Sequence, residues 1–158
     1  MDIVNIGRWN LRCDREGTRA AHAGVTQGSP ESCGCEHCLN FAAVRNQAYP
    51  SEVLAIFEQL GIDPRKEAEI WYTHRDESGL HHYGGFFHFI GSIESGGDAK
   101  RMIADGVSTF DLELIGGYFE YGFTSDAALT PESFAGKEIV QLEFQTKVPW
   151  VLNTPAPD

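Results

Sequence analysis

The sequence has few basic residues. Only 12 Lys and Arg stand against 23 Asp and Glu, which gives a formal net charge of −11. Residues 1–48 contain five Arg against five Asp and Glu, so the whole negative excess lies in residues 49–158. An acidic surface repels phosphate groups, which argues against broad binding of nucleic acid or of an anionic membrane. We therefore expect the partner to be another protein, recognised through this acidic part of the chain.

Long apolar runs are also missing. No stretch approaches the roughly 18 consecutive apolar residues of a membrane-spanning helix. The start of the chain lacks the apolar core and the cleavage site that are typical of a secretory signal peptide. We therefore expect a cytoplasmic location, without membrane binding. In that compartment clustered cysteines more often bind metal or carry out redox chemistry than form structural disulfides.

The chain has only four cysteines, and three of them lie within six residues, at Cys33, Cys35 and Cys38. Gly34 lets the chain fold back, because glycine adopts positive φ without strain. Four sulfurs are typical of tetrahedral Zn²⁺, so the pattern predicts a structural zinc with Cys13 as the fourth ligand. Such a closed site holds the fold together and has no open position for catalysis.

Several alternatives to this site remain. His22 or His37 is expected to supply the fourth ligand if Cys13 faces elsewhere. The thiols are otherwise free and reduced, or they hold an iron–sulfur cluster, which four cysteines also suit. A further alternative is thiol–disulfide exchange at Cys35 and Cys38, although loop residues precede this pair where a redox motif follows a strand.

The remaining sequence predicts one α+β domain, residues 1–158. Two helices are expected at about residues 38–61, the second beginning near Ser51 and ending at Gly61. Alternating apolar residues predict a largely antiparallel sheet of five or six strands, with both helices packed on one face. A long loop is expected at residues 14–32, and a helical turn at residues 98–104.

No familiar catalytic pattern is present, which favours a protein that is not an enzyme. The rival hypothesis is an enzyme or a small-ligand binder with a cleft near His88 and Tyr121. Burial of His88 among Phe86 and Phe89 is expected to perturb its pKa.

Three runs of the sequence carry a resemblance to a known family. They are Cys33-Gly-Cys-Glu-His-Cys-Leu-Asn-Phe41, Gly84-Gly-Phe-Phe-His-Phe89 and Pro149-Trp-Val-Leu152. With these runs the chain resembles a small family of uncharacterised bacterial proteins with a CxCxxCxNF cysteine motif. The resemblance implies a bacterial cytosolic protein and adds no catalytic residue.

Overall fold

A computed structural model describes residues 1–157, and its fold is α+β, as predicted. These residues form four α-helices and nine β-strands. The helices are α1 (Arg15–Ala23), α2 (Ser29–Cys33), α3 (Glu36–Ala48) and α4 (Ser51–Leu60). The strands are β1 (Asp2–Ile6), β2 (Trp9–Cys13), β3 (Glu69–Arg75), β4 (His81–Ser95), β5 (Lys100–Ala104), β6 (Val107–Phe110), β7 (Glu113–Ile115), β8 (Phe119–Thr124) and β9 (Ile139–Val148).

Seven of the strands form one antiparallel sheet, with the order β1-β2-β4-β9-β8-β7 and β3 also paired to β4. Strands β5 and β6 form a separate two-stranded sheet. The long strand β4 organises the main sheet, because β9 follows one of its edges from Val148 opposite His81 to Ile139 opposite Ile90. Its other edge is shared by β3 at one end and β2 at the other.

Helices α3 and α4 pack on one face of this sheet, as predicted. Alternate residues of a strand point to the same face, so Phe87 of β4 and Phe144 of β9 both reach the helices. The ring of Phe57 on α4 lies 4.8 Å from that of Phe87, and Tyr49, which follows α3, lies 5.6 Å from Phe144. This main core is rich in aromatic rings and excludes water almost completely.

Helix α1 completes the middle of β4, where neither β2 nor β3 reaches. Thr18 Oγ1 accepts a hydrogen bond from the Ile90 amide, and the Asp14 amide donates to the Ile90 carbonyl. His22 Nε2 lies 2.8 Å from the carbonyl oxygen of His88 and acts as the donor there, since a carbonyl only accepts. Side chains of a helix thus replace the missing strand.

Three local predictions were wrong. Residues 14–32 are not a loop, because they contain α1 and α2. The predicted helical turn at 98–104 is instead mostly strand β5, paired with β6. The first strand is a hairpin, in which Gly7, with φ of +56°, turns the chain from β1 into β2. This hairpin raises the strand count above the five or six expected.

None of the helices formed by residues 1–157 has both the length and the apolar character that a bilayer-spanning helix requires.

Candidate metal centre

The cysteine group lies where the short helix α2 turns into α3. Pro30 occupies the first turn of α2, where its missing amide hydrogen costs nothing. The helix ends at Gly34, which has φ of +68° and donates its amide hydrogen to the Pro30 carbonyl. A Cβ at Gly34 would meet no atom within 4 Å beyond its chain neighbours, so backbone conformation alone favours glycine there. The predicted reversal of the chain at Gly34 is confirmed.

Cys35 is the N-cap of α3, and its sulfur accepts a 3.4 Å hydrogen bond from the Cys38 amide. This bond satisfies one of the free amides at the start of the helix. It also lowers the pKa of the Cys35 thiol below its usual range. Burial, followed by the neighbouring thiols, raises the pKa of Cys38. Cys35 therefore loses its proton before Cys38 does when no metal is bound.

The three sulfurs of Cys33, Cys35 and Cys38 all lie within 4.8 Å of one another. Tetrahedral zinc with Zn–S bonds near 2.3 Å separates its sulfurs by about 3.8 Å, so only small side-chain rotations are needed to enclose an ion. Cys33 and Cys35 are exposed, whereas Cys38 is buried. These three cysteines can hold a metal ion, and one side of the group is open to solvent.

Cys13 does not join this group, and its predicted role as fourth ligand is corrected here. It is the last residue of β2, fully buried beside Gly91 of β4. Its thiol lies 3.5 Å from the carbonyl of Leu60, to which it donates, and burial raises its pKa to about 12. The sequence held a signal for this position, because Trp9, Leu11 and Cys13 share one parity of the strand and all three face the core.

The two histidines proposed as substitutes also have other positions. His22 is buried on α1 and bonded to the backbone of β4. The ring of His37 stacks on Tyr72, with centroids 3.8 Å apart and planes 6° from parallel. Among residues 1–157, no histidine or carboxylate brings a ligand atom into the group of three sulfurs. The site therefore offers three protein ligands.

A buried ion-pair network holds α2 against α3. Arg45 of α3 makes two hydrogen bonds to Glu31 of α2, at 2.8 and 2.9 Å. The same guanidinium makes two further bonds, both 2.9 Å, to Glu67, whose side chain is fully buried and also accepts from the Tyr49 hydroxyl. Glu31 lies two residues before Cys33, so the network fixes the helix that carries this cysteine. Local sequence carried no signal for it, since the three charged residues are far apart in the chain.

Asn40 connects the cysteine helix to the end of the chain. It is fully buried, donates 3.1 Å to the Pro149 carbonyl and accepts 2.8 Å from the Val151 amide. Its amide nitrogen also lies 3.4 Å from the Tyr83 hydroxyl, which donates to the carbonyl of His37. The first and last of the three runs that carry the family resemblance therefore contact each other through Asn40.

The structure separates His88 from Tyr121. On β9, His88 lies opposite Gln141 and Tyr121 lies opposite Phe144, three residues along the same strand. An odd separation places them on opposite faces of the sheet, so they do not form one cleft. Tyr121 packs in the main core beside Trp9, whereas burial lowers the pKa of His88 to about 4. The expected perturbation of the His88 pKa is confirmed.

Comparison of the chain with models of protein families, with curated proteins and with solved structures found no match. The resemblance to the bacterial family with the CxCxxCxNF motif therefore stays a prediction.

Proposed function

We propose that this protein binds zinc through Cys33, Cys35 and Cys38 and acts through contacts with another protein. The observation that carries the metal half is the mutual approach of the three sulfurs to within 4.8 Å. A set of thiol ligands without oxygen donors favours zinc over the hard cations magnesium and calcium. The Arg45 network supports the proposal, because it brings Cys33 to the other two cysteines before any ion binds.

The proposed role of the ion is structural. It would join Cys33 at the end of α2 to Cys35 and Cys38 at the start of α3. Because Cys13 is elsewhere, one tetrahedral position stays free for water or for a group of the partner. A site with only three protein ligands is not closed, so its ligand set no longer favours a protein without enzymatic activity.

The experiment that tests the metal half is elemental mass spectrometry on protein purified without a His tag, with titration of reactive thiols before and after chelation. We expect one zinc per chain and three thiols that become reactive only after chelation. In the cobalt-substituted protein, the thiolate-to-cobalt charge-transfer absorption should correspond to three thiolates. A bound iron–sulfur cluster, or freely reactive thiols without metal, would contradict the proposal.

Two single substitutions provide a matched comparison. Cys33→Ser removes one proposed ligand, and we expect it to lower zinc affinity by about two orders of magnitude because a strong thiolate bond is lost. Cys13→Ala removes the remaining cysteine, which makes no contact with the group, and the variant should retain one zinc. Equal zinc loss in the two variants would count against the three-cysteine site.

A second candidate function is thiol–disulfide exchange, favoured by the difference between Cys35 and Cys38. Cys35 is exposed and has a lowered pKa, whereas Cys38 is buried and has a raised pKa. In this mechanism the Cys35 thiolate attacks a disulfide of a substrate protein and displaces one substrate thiolate. Cys38 then loses its proton and attacks the Cys35 sulfur, which releases the second substrate thiolate and leaves a Cys35–Cys38 disulfide.

Reduction of a small disulfide by metal-free protein distinguishes this candidate. Exchange predicts that Cys35→Ser abolishes the reaction and that Cys38→Ser traps a mixed disulfide at Cys35. The zinc proposal instead predicts that the metal-loaded protein reacts slowly with the disulfide and that oxidation releases the ion. Rapid reversible oxidation with the metal retained would contradict both functions of the three-sulfur group.

A further inference from the structure

One edge of β4 is left without a neighbour at its C-terminal end. Strand β9 pairs with β4 only as far as Ile90, after which the Gly91 amide donates 3.0 Å to the Glu138 carbonyl. The last four residues of β4, Ser92–Ser95, pair with β2 on their other edge. Within residues 1–157 no strand pairs with these residues on the β9 side. The sheet therefore has an open edge beside a covered one.

The chain that precedes β9 turns away from this edge. Phe134 is buried against Ile90 in a small second core, and Gly136 has φ of +75°, so the segment leaves the plane of the sheet. A groove of about 600 Å³ remains along the end of β4. We call it the β4 groove, and the residues that line it are Gly91, Ser92, Ile93, Glu94, Ser95, Gly97, Asp98, Ser125, Glu138, Ile139 and Val140.

The backbone of β4 faces the groove with unpaired polar groups. The amide and carbonyl of Ile90 point to α1, and the Gly91 amide points to the β9 side. Backbone groups alternate along an antiparallel strand, so Ile93 directs its amide and carbonyl to the same side as Gly91. Ile93 has no strand partner there, and these groups are available to a further strand.

The charge of the groove selects among extended segments. Glu94, Asp98 and Glu138 line it, and no Lys or Arg does. Asp98 is held by the backbone amides of Lys100 and Ser125, whereas Glu138 is exposed. A second copy of this acidic chain would bring like charges together, so charge complementarity favours a basic segment.

We propose that the β4 groove binds an extended basic segment of a partner protein, which adds to β4 as a strand at Ser92–Ser95. This inference rests on the partner half of the proposed function and is independent of the metal. Main-chain hydrogen bonds with Ile93 would supply part of the affinity, and the three carboxylates would select basic side chains.

The test measures binding of an alternating Lys-Val peptide of about seven residues to the full chain, with an alternating Glu-Val peptide as the charge control. We expect only the basic peptide to shift the NMR amide signals of Ile93 and its neighbours and to protect the Ile93 amide from hydrogen exchange. A version N-methylated at every residue keeps the charges but cannot donate backbone hydrogen bonds, and it should bind about tenfold more weakly. Equal binding of this version would overturn the proposal.

A pair of double variants separates the groove from the general acidity of the protein. Glu94→Lys with Glu138→Lys reverses two charges in the groove, and we expect about a tenfold loss of affinity. Glu77→Lys with Asp105→Lys makes the same change in net charge at two exposed positions elsewhere, and affinity should change much less. Equal losses would show that binding is not located at the groove.

Two further outcomes would also overturn the proposal. One is failure of the basic peptide to bind, and the other is concentration-dependent self-association that protects Ile93 without peptide, which assigns the edge to a second copy. Repeating the titration after chelation keeps the two ideas distinguishable. Peptide binding that persists without metal supports the groove even if the zinc proposal fails, and zinc content is measured without any peptide.

Discussion

Gln141 donates a 2.8 Å hydrogen bond from its Nε2 to Oε1 of Glu143, on the face of the sheet opposite the main core. The alternation of β9 places both side chains away from Val140, Leu142 and Phe144. Such a face is usually exposed to solvent, yet both side chains are buried here. Burial raises the pKa of Glu143 to about 7, and the bond from Gln141 and the charge of Lys100 offset only part of that effect.

This pKa predicts a pH-dependent stability. The folded carboxyl keeps its proton up to about pH 7, whereas the unfolded one loses it near 4.5. The free energy of unfolding should therefore fall as the pH rises through this interval and remain low above it. Glu143→Gln removes the penalty and should add on the order of 3 kcal/mol at pH 8, with little change at pH 4.

Urea denaturation of Glu143→Gln and of the wild type across pH 4 to 8 provides the measurement. Glu138→Gln, at an exposed position just before the same strand, is the control and should retain the wild-type pH dependence. An unchanged slope in Glu143→Gln would show that Glu143 is ionised in the folded protein.

His88 predicts the opposite dependence in acid. Its ring is buried near Phe86 and Phe134, and burial lowers its pKa from 6.5 to about 4. The unfolded imidazole takes up its proton near pH 6.5 and the folded one only near pH 4, so the free energy of unfolding falls as the pH drops through this range. His88→Gln should flatten that fall by on the order of 3 kcal/mol, whatever its effect at neutral pH.

The control for His88 is the exposed His74, whose replacement by Gln should leave the slope between pH 6.5 and 4 unchanged. Part of the slope should persist in His88→Gln, because burial also lowers the pKa of His22. If both variants follow the wild type, His88 does not titrate differently on folding.

Glu31→Gln tests the network that positions the cysteine helix. It removes the charge that Arg45 binds, so α2 should be less firmly ordered and Cys33 should be presented less often to the other two sulfurs. We expect zinc affinity, measured by competition with a chromophoric chelator, to fall about tenfold. Glu58→Gln is the matched control, because Glu58 is an exposed partner of Arg15 and Arg19 far from the cysteines. Similar affinities in the two variants would mean that the network stabilises only the fold.

Gly61→Ala tests the close contact between α4 and α1. Gly61 ends α4 with φ of +79°, and a Cβ there would lie 2.3 Å from the carbonyl oxygen of Arg15. Gly117 has φ of +87° with open space around it. Gly117→Ala therefore measures the backbone strain alone, about 1 kcal/mol, and Gly61→Ala should cost at least about 2 kcal/mol more in thermal or urea unfolding because a backbone atom must move. Equal losses would show that α1 shifts without cost.

The two helices of the cysteine-to-Gly61 segment were predicted from the sequence because their signals are local. An apolar stripe, a proline before Ser51 and a glycine at its end specify α4 without reference to the rest of the chain. The approach of Cys33, Cys35 and Cys38 is equally local, since a short stretch of chain and the left-handed Gly34 bring them together. The alternating residues of β9 likewise predicted its strand.

Helices α1 and α2 were missed for the opposite reason. α1 is polar on most of its surface, and its buried residues Thr18 and His22 serve the backbone of β4 rather than an apolar core. α2 has only five residues and is held by Glu31 through Arg45. Neither interaction leaves a periodic pattern in the sequence.

The sequence by itself determined the α+β class, the helices on one face of the sheet and the group of three neighbouring cysteines, because each follows from contacts between residues close in the chain. Only the tertiary structure decided that Cys13 lies in the core, that Gln141 and Glu143 are buried and that β4 has an open acidic edge. Each of these depends on which distant segment covers a strand, and the local pattern of polar and apolar residues does not record that.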